Sequence, residues 1–265
     1  MARRFIVDRE DIKYFSKEEN VMEIKGKEVK HIQVLRHDVG DVIVVNEYVC
    51  KINKMHSNYI ELQIISEAKK QGEPNIDLTL FASVLKGDKM EFIIQKAVEL
   101  GVKNIIPFIS KNTIVRLDEK GKNKKREKYQ VVANEACKQC GRTDIVNILE
   151  ITNLDEEILN KLSDYDTCIF AYENEKNRSS LHDVMEISKK KNYKKIAMII
   201  GPEGGFTADE AADIKSTDKC KCVSLGSRIL RAETAVINLI SVIMYELDSS
   251  CLLYTSPSPR DMRRS

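Results

Sequence analysis

The hydrophobic rhythm of the chain changes once. Up to about residue 70, apolar and polar residues alternate over short stretches such as DVIVVNEYVCKIN (41–53) and YIELQII (59–65). Gly26, Gly40 and a turn around Asn58 separate these stretches. Period-two alternation between turn residues predicts a small antiparallel β-barrel or sandwich. One helix is expected to interrupt it, from Lys27 to Arg36, with Val29, Ile32, Val34 and Leu35 towards one side. The stretch KKQGEPN (69–75), with Gly72 and Pro74, reads as a linker.

From Asp77 onward, apolar runs alternate with helical patterns. DLTLFASVL (77–85), KNIIPFIS (103–110), TCIFAY (167–172), IAMIIG (196–201) and CKCVSLG (220–226) are strand candidates. GDKMEFIIQKAVELGV (87–102) is a clear helix, with Met90, Ile93, Ile94, Ala97 and Val98 at helical spacing. Asp88 is expected to cap it, Glu91 to complete the capping box, and Gly101 to end it. Strands alternating with helices predict an α/β domain, a parallel sheet with helices on both faces. The helix from Ala232 to Leu247 is apolar nearly all round, which predicts burial. The expected division is therefore 1–72 as the small β domain and 73–248 as the α/β domain. The segment 249–265 is rich in Ser, Pro and Arg and reads as a disordered, non-native tail.

Charge and composition narrow the function classes. The formal net charge is +2, so binding to a polyanion must come from local basic patches. The start, MARRFIVDREDIK, has no apolar core of a signal peptide, and no apolar run approaches a membrane span. Seven cysteines without a secretory signal suggest reduced thiols in a cytoplasm. Cys137-Lys-Gln-Cys140 and Cys220-Lys-Cys222 lack the matched spacing of a zinc site, so no metal is expected.

The segment AMIIGPEGGFTADE (197–210) concentrates the chemistry. An apolar strand stops at Gly201, glycines follow, and Thr207 with Glu210 has capping-box spacing. A phosphate loop needs a lysine and a hydroxyl at a spacing this turn does not provide, and Glu203 repels a phosphate. A second unusual turn, VSLGSRILRAETA (223–235), places Arg228, Arg231 and Glu233 beside an apolar helix. Two strand ends thus converge on one crevice at the carboxyl edge of the sheet, where open α/β sheets bind ligands. Glycines there allow close approach of backbone N–H and C=O groups to a base.

GPEGGFTADE together with LGSRILRAETA resembles the SPOUT superfamily of trefoil-knotted methyltransferases. HIQVLRHDVGD (31–41), KGDKMEFIIQKAVELGV with IIPFIS (86–110) and EACKQCGR (135–142) extend the likeness to one family, the RsmE-like enzymes. Those enzymes methylate N3 of a uridine in 16S ribosomal RNA. The resemblance runs in order over residues 3–247. It implies a knotted C-terminal domain, an N-terminal PUA-like RNA-binding barrel, a homodimer, and S-adenosylmethionine held by three loops. By position these are Ala171 and Tyr172; Ile200, Gly201, Pro202, Glu203 and Gly204; and Leu225, Gly226, Ile229, Leu230 and Thr234. Arg142 and Arg231 are the expected cations beside a uracil anion, with Glu233 or Glu135 orienting an arginine or accepting a proton. A target base in folded RNA has to leave its stack. RNA contacts are expected from Arg3, Arg4, Lys30, His31 and Arg36, from Glu135 and Gln139, and from the basic run 111–128. That run carries eight Lys/Arg against three acidic residues, among them Arg116, Lys124, Lys125 and Arg126. Competing readings are a ribose 2′-O-methyltransferase, a non-catalytic RNA-binding assembly factor, and a thiol oxidoreductase using Cys137 and Cys140.

Overall fold

A computed structural model describes residues 3–68, 72–172 and 179–248. The tail 249–265 lies outside the described residues. The chain forms two compact units: one takes residues up to Glu73 together with Asn134–Ile145, the other takes Pro74–Ala133 and the chain from Val146 onward.

The first unit contains β1 (Arg4–Phe5), β2 (Ile12–Ser16), β3 (Val21–Lys25), α1 (Lys27–Val34), β4 (Val42–Val45), β5 (Tyr48–Met55) and β6 (Tyr59–Glu67). Its sheet runs β1-β4-β5-β6-β3-β2, antiparallel except where β1 joins β4. The alternation places Ile60, Leu62 and Ile64 of β6 in a core with Met22, Ile24, Ile43, Cys50 and Ile52. Helix α1 adds Val29 and Ile32 to that core but ends before the predicted Arg36, which adopts a left-handed φ of 58°. Val34, two positions after Ile32 and five after Val29, lies on the opposite side of the helix and faces solvent, 77% exposed, not the core.

The second unit begins with β7 (Asp77–Ser83), α2 (Lys89–Glu99) and β8 (Asn104–Ile109). Helix α3 (Glu119–Cys140), β9 (Asn147–Ile148), β10 (Thr152–Asn153) and α4 (Glu156–Ser163) follow, the end of α3 belonging to the first unit. Then come β11 (Thr167–Ala171), β12 (Ser179–Ser180), α5 (Leu181–Lys190), β13 (Lys195–Ile200), α6 (Ala208–Ser216), β14 (Cys220–Ser224) and α7 (Ala232–Leu247). All sheet pairs in this unit are parallel, in the order β10-β8-β7-β13-β11-β14-β12, with β9 beside β8. The central strands β7 and β13 are buried almost end to end, as strands covered on both faces are. Ile158 and Leu162 of α4, with Ala211 and Ile214 of α6, pack on Phe81, Phe170, Ala197 and Ile199. Leu78, Leu80 and Met198 alternate with those residues and are fully buried towards the other face. Helix α7 packs against β13, α2 and α5.

Helix α2 buries the five apolar residues its spacing marked, and Gly101 ends it at φ 99°. Asp88, however, makes no side-chain cap, and Glu91 pairs with Lys128 at 2.5 Å instead of closing a box. Helix α7 is not sealed all round: Val236, Leu239, Ile240, Ile243 and Met244 are buried, while Tyr245 is 68% exposed. Among the described residues no helix is long and apolar enough to cross a membrane.

The most heavily satisfied charge in the first unit is Glu73. Its carboxylate accepts from Arg142 Nε (3.2 Å) and Nη2 (2.8 Å), and from the N–H groups of Thr143 (2.8 Å) and Asp144 (2.9 Å). Burial pushes its pKa up, but the Arg142 guanidinium and these N–H groups outweigh that and hold it below the ordinary range. A depressed carboxylate stabilises the fold above its unfolded pKa, and this contribution is lost as pH falls through the folded value. Glu73→Gln is expected to lower stability by about 3 kcal/mol at pH 7, since it strands a buried guanidinium. Urea unfolding at pH 7 and at pH 3 checks this: the gap between wild type and variant narrows at the lower pH.

Candidate functional site

Strands β13, β11 and β14 are neighbours and parallel, so their carboxyl ends share one edge of the sheet. The turns after β13 and β14, with Ala171 and Tyr172 at the end of β11, line a cavity of about 560 Å³. Residues of the α7 start and Lys89 of α2 complete its wall.

Each turn has a local reason for its shape. After β13, the Gly205 N–H donates to the Pro202 carbonyl at 2.9 Å, closing the glycine turn. Phe206 then dives into the core, edge-on to Phe170 at 5.4 Å. A Cβ on Gly201 would lie 2.7 Å from the Phe206 ring, so only glycine lets the strand end lie flat against it. Thr207 and Glu210 form the predicted capping box of α6: Thr207 Oγ1 accepts from the Glu210 N–H, and Glu210 Oε2 accepts from the Thr207 N–H. The second Glu210 oxygen takes the Lys111 N–H at 2.7 Å, and Asn112 Nδ2 donates to the carbonyls of Gly204 and Gly205. These bonds fix the turn from behind.

After β14, Gly226 adopts a φ of 118° and donates its N–H to Ser224 Oγ at 3.3 Å. That conformation suits glycine because an L side chain strains there. At the end of β11, the Tyr172 ring stacks on Phe170 at 5.2 Å and so joins the same aromatic cluster.

The wall combines backbone and apolar surface from Ile200, Pro202, Leu225 and Leu230 with five charged side chains. Glu203 Oε1 accepts from Lys89 Nζ at 3.2 Å and from the Lys86 N–H at 3.3 Å. Burial raises the Glu203 pKa, but its own backbone N–H, Lys89 and Lys86 outweigh it and keep it below the ordinary carboxylate value. Glu233 Oε1 stands 3.9 Å from the same Lys89 ammonium, and Glu233 Oε2 is buried without a hydrogen-bond partner. The side chains of Arg228 and Arg231 form no ion pair among the described residues. Of the two roles expected for Glu233, orienting an arginine or accepting a proton, the first finds no arginine partner here: its nearest cation is Lys89.

Of the residues expected to bind a cofactor, Ala171, Tyr172, Ile200, Gly201, Pro202, Glu203, Leu225, Gly226, Ile229 and Leu230 line this one cavity. Gly204 and Thr234 fall outside its lining. Arg231 and Glu233 line it, whereas Arg142 is buried in the first unit against Glu73. Among the residues expected at RNA, Arg3, Lys30, Arg36, Arg116, Lys124 and Gln139 are exposed. Arg4 donates to the Asn46 carbonyl, His31 pairs with Glu28, and Glu135 pairs with Lys138. Lys125 lies over the Tyr129 ring, and Arg126 donates to the Ile148 carbonyl. Sequence reading missed Lys89 as a site residue, although it stands in the KGDKMEF motif directly after a strand that borders β13.

Residues 72–244, which contain this cavity, match the family described as an RNA methyltransferase domain. The chain is therefore a member of the RNA methyltransferases. It is 32% identical over 232 residues to ribosomal RNA small subunit methyltransferase E of Bacillus subtilis (strain 168), covering 85% of this chain and 90% of that protein. The corresponding protein of Mesomycoplasma hyopneumoniae (strain 232) is 30% identical over 85% of this chain and 94% of its own length. A crystal structure of ribosomal RNA small subunit methyltransferase E from Neisseria gonorrhoeae, bound to S-adenosyl methionine, superposes with a TM-score of 0.75. It is 28% identical, with 92% of this chain and 97% of that one covered. The chain belongs to the ribosomal RNA small subunit methyltransferase E family.

The glycine geometry yields contrasting outcomes. Gly201→Ala drives a methyl into the Phe206 ring and is expected to cost about 1–3 kcal/mol, as overpacking does. Gly226→Ala meets no atom within 4 Å, so only the strained φ acts, at about 1–2 kcal/mol. Thermal unfolding of both variants checks this, with a shift in melting temperature for each and partial loss of aromatic packing, seen by near-ultraviolet circular dichroism, only for Gly201→Ala.

Proposed function

We propose that this chain methylates N3 of a uridine in 16S ribosomal RNA of the small ribosomal subunit, with S-adenosylmethionine as methyl donor. The observation that carries the reading is the single cavity built by three adjacent strand ends, with bare backbone at Gly201 and Gly226 and two unpaired arginines in its wall. Its volume, about 560 Å³, lies in the range of small-molecule sites. The wall suits the donor's chemistry. Free backbone groups and the side chains of Ile200, Pro202, Leu225 and Leu230 fit a flat base, and the charged groups fit the methionyl end.

When bound, the donor supplies a methyl group on a positively charged sulfur. The protein's task is then to orient the acceptor and manage its proton. Uridine N3 carries an imide proton and becomes nucleophilic as that proton leaves, with charge spreading to the two carbonyl oxygens. Arg231, exposed at the cavity and free of any ion pair among the described residues, stabilises that charge. Glu233, with one oxygen buried and unpartnered, is the carboxylate that accepts the proton. Arg142 stays committed to Glu73. The exposed basic residues Arg116 and Lys124 of the second unit draw in the RNA backbone.

The finer features belong to the same reading: a PUA-like RNA-binding domain in residues 1–72, a knotted methyltransferase domain in 73–248, a non-native tail in 249–265, and a cytoplasmic homodimer. The exposed Arg3, Lys30 and Arg36 support RNA contact by the first unit. The exposed Tyr245 and Ile229 support a partner over the α7 region.

Transfer of labelled methyl groups to purified small ribosomal subunits, followed by nucleoside mass spectrometry, is expected to give N3-methyluridine. A ribose-methylated product, or RNA binding with no donor bound, overturns the proposal. Arg231→Ala is expected to lower kcat about 100-fold while leaving the calorimetric Kd for the donor within a few-fold.

A further inference from the structure

Glu203 and Glu233 come from different turns of the cavity, the first after β13 and the second from the first turn of α7. One ammonium serves both: Lys89 Nζ lies 3.2 Å from Glu203 Oε1 and 3.9 Å from Glu233 Oε1. Lys89 is the first residue of α2, and the Lys86 N–H just before that helix also bonds Glu203 Oε1. The start of α2 therefore grips the glycine turn by a backbone and a side-chain donor at the same oxygen. Helix α2 is itself packed along α7, so the grip is anchored to the element that carries Glu233. Without the ammonium, two carboxylates would face each other across the cavity wall with no shared counter-charge.

We infer that Lys89 is a positioning residue for the methyl-donor site: its ammonium couples the turn 201–205 to the start of α7 through Glu203 and Glu233, and holds the cavity at its binding width. The inference rests on the donor reading above. The lysine acts through the two carboxylates.

The test is isothermal calorimetry with S-adenosylmethionine itself, on the full chain. Lys89→Met is expected to raise Kd about tenfold, and Lys89→Arg, which keeps the charge, to return it to within about threefold of wild type. Because the lysine acts through Glu203, Lys89→Met with Glu203→Gln is expected to bind no more weakly than Lys89→Met alone. Independent contributions would multiply towards about 100-fold. Hydrogen exchange at the amides of 201–205 is expected to accelerate in Lys89→Met, with the melting temperature little changed. A Lys89→Met protein that binds within twofold of wild type overturns the inference. So does a loss that arginine does not rescue, or one that multiplies with Glu203→Gln. If wild type itself fails to bind the donor, the functional reading falls, and that outcome is distinct from all of these.

Discussion

Three parallel strands side by side, β13, β11 and β14, place three chain turns at one edge of a sheet, and everything at the site follows from that placement. Parallel pairing forces every connection to return across the sheet, which is why helices intervene and why all turns of one sense gather together. The strand order departs from chain order here: β11 lies between β13 and β14. Such a reversal opens a crevice between connections that leave to opposite sides.

The crevice is kept open by what lies beneath it. Phe206, Phe170 and Tyr172 form a connected aromatic cluster under two of the turns. Phe206 leaves no room for any side chain at Gly201, and Glu210 and Asn112 hold the far side of the same turn. Packing from below and hydrogen bonds from behind leave the cavity side of the turn with free backbone. The charges then divide by environment. One lysine is shared by the two carboxylates at the wall, and the side chains of Arg228 and Arg231 form no ion pair among the described residues.

Much of this was legible in the chain. The strands around 77–85, 103–110, 167–172 and 196–201 announce themselves as apolar runs, because a strand buried on both faces needs nothing else, whereas the one at 220–226 is mostly half-exposed and shows only short alternation. The capping box at Thr207 and the stop at Gly101 are local chemistry, readable from a few residues. The misreadings involve tertiary choice. Asp88 has the right identity for a cap, yet Glu91 finds Lys128, a partner 37 positions away. Val34 is apolar and helical, but it sits two positions after Ile32 and five after Val29, on the face turned away from their core. Arg142 was expected beside the uracil because it ends the EACKQCGR motif that carries the resemblance; Glu73, the carboxylate it pairs with, lies 69 positions earlier and leaves no local sign. Lys89 escaped notice for the converse reason, since its two partners are more than a hundred positions downstream.

The cavity wall draws on α2 near residue 89, on β11, on β13 and on the start of α7 at residue 232. A nascent chain emerging from the ribosome makes those pieces in order, and the contacts that close the wall span more than a hundred positions. Ligand binding therefore cannot begin during most of synthesis. The domain's sheet can collect its early strands as they appear, but the pocket is completed in a late step, when α7 settles against α2 and brings Arg231 and Glu233 with it.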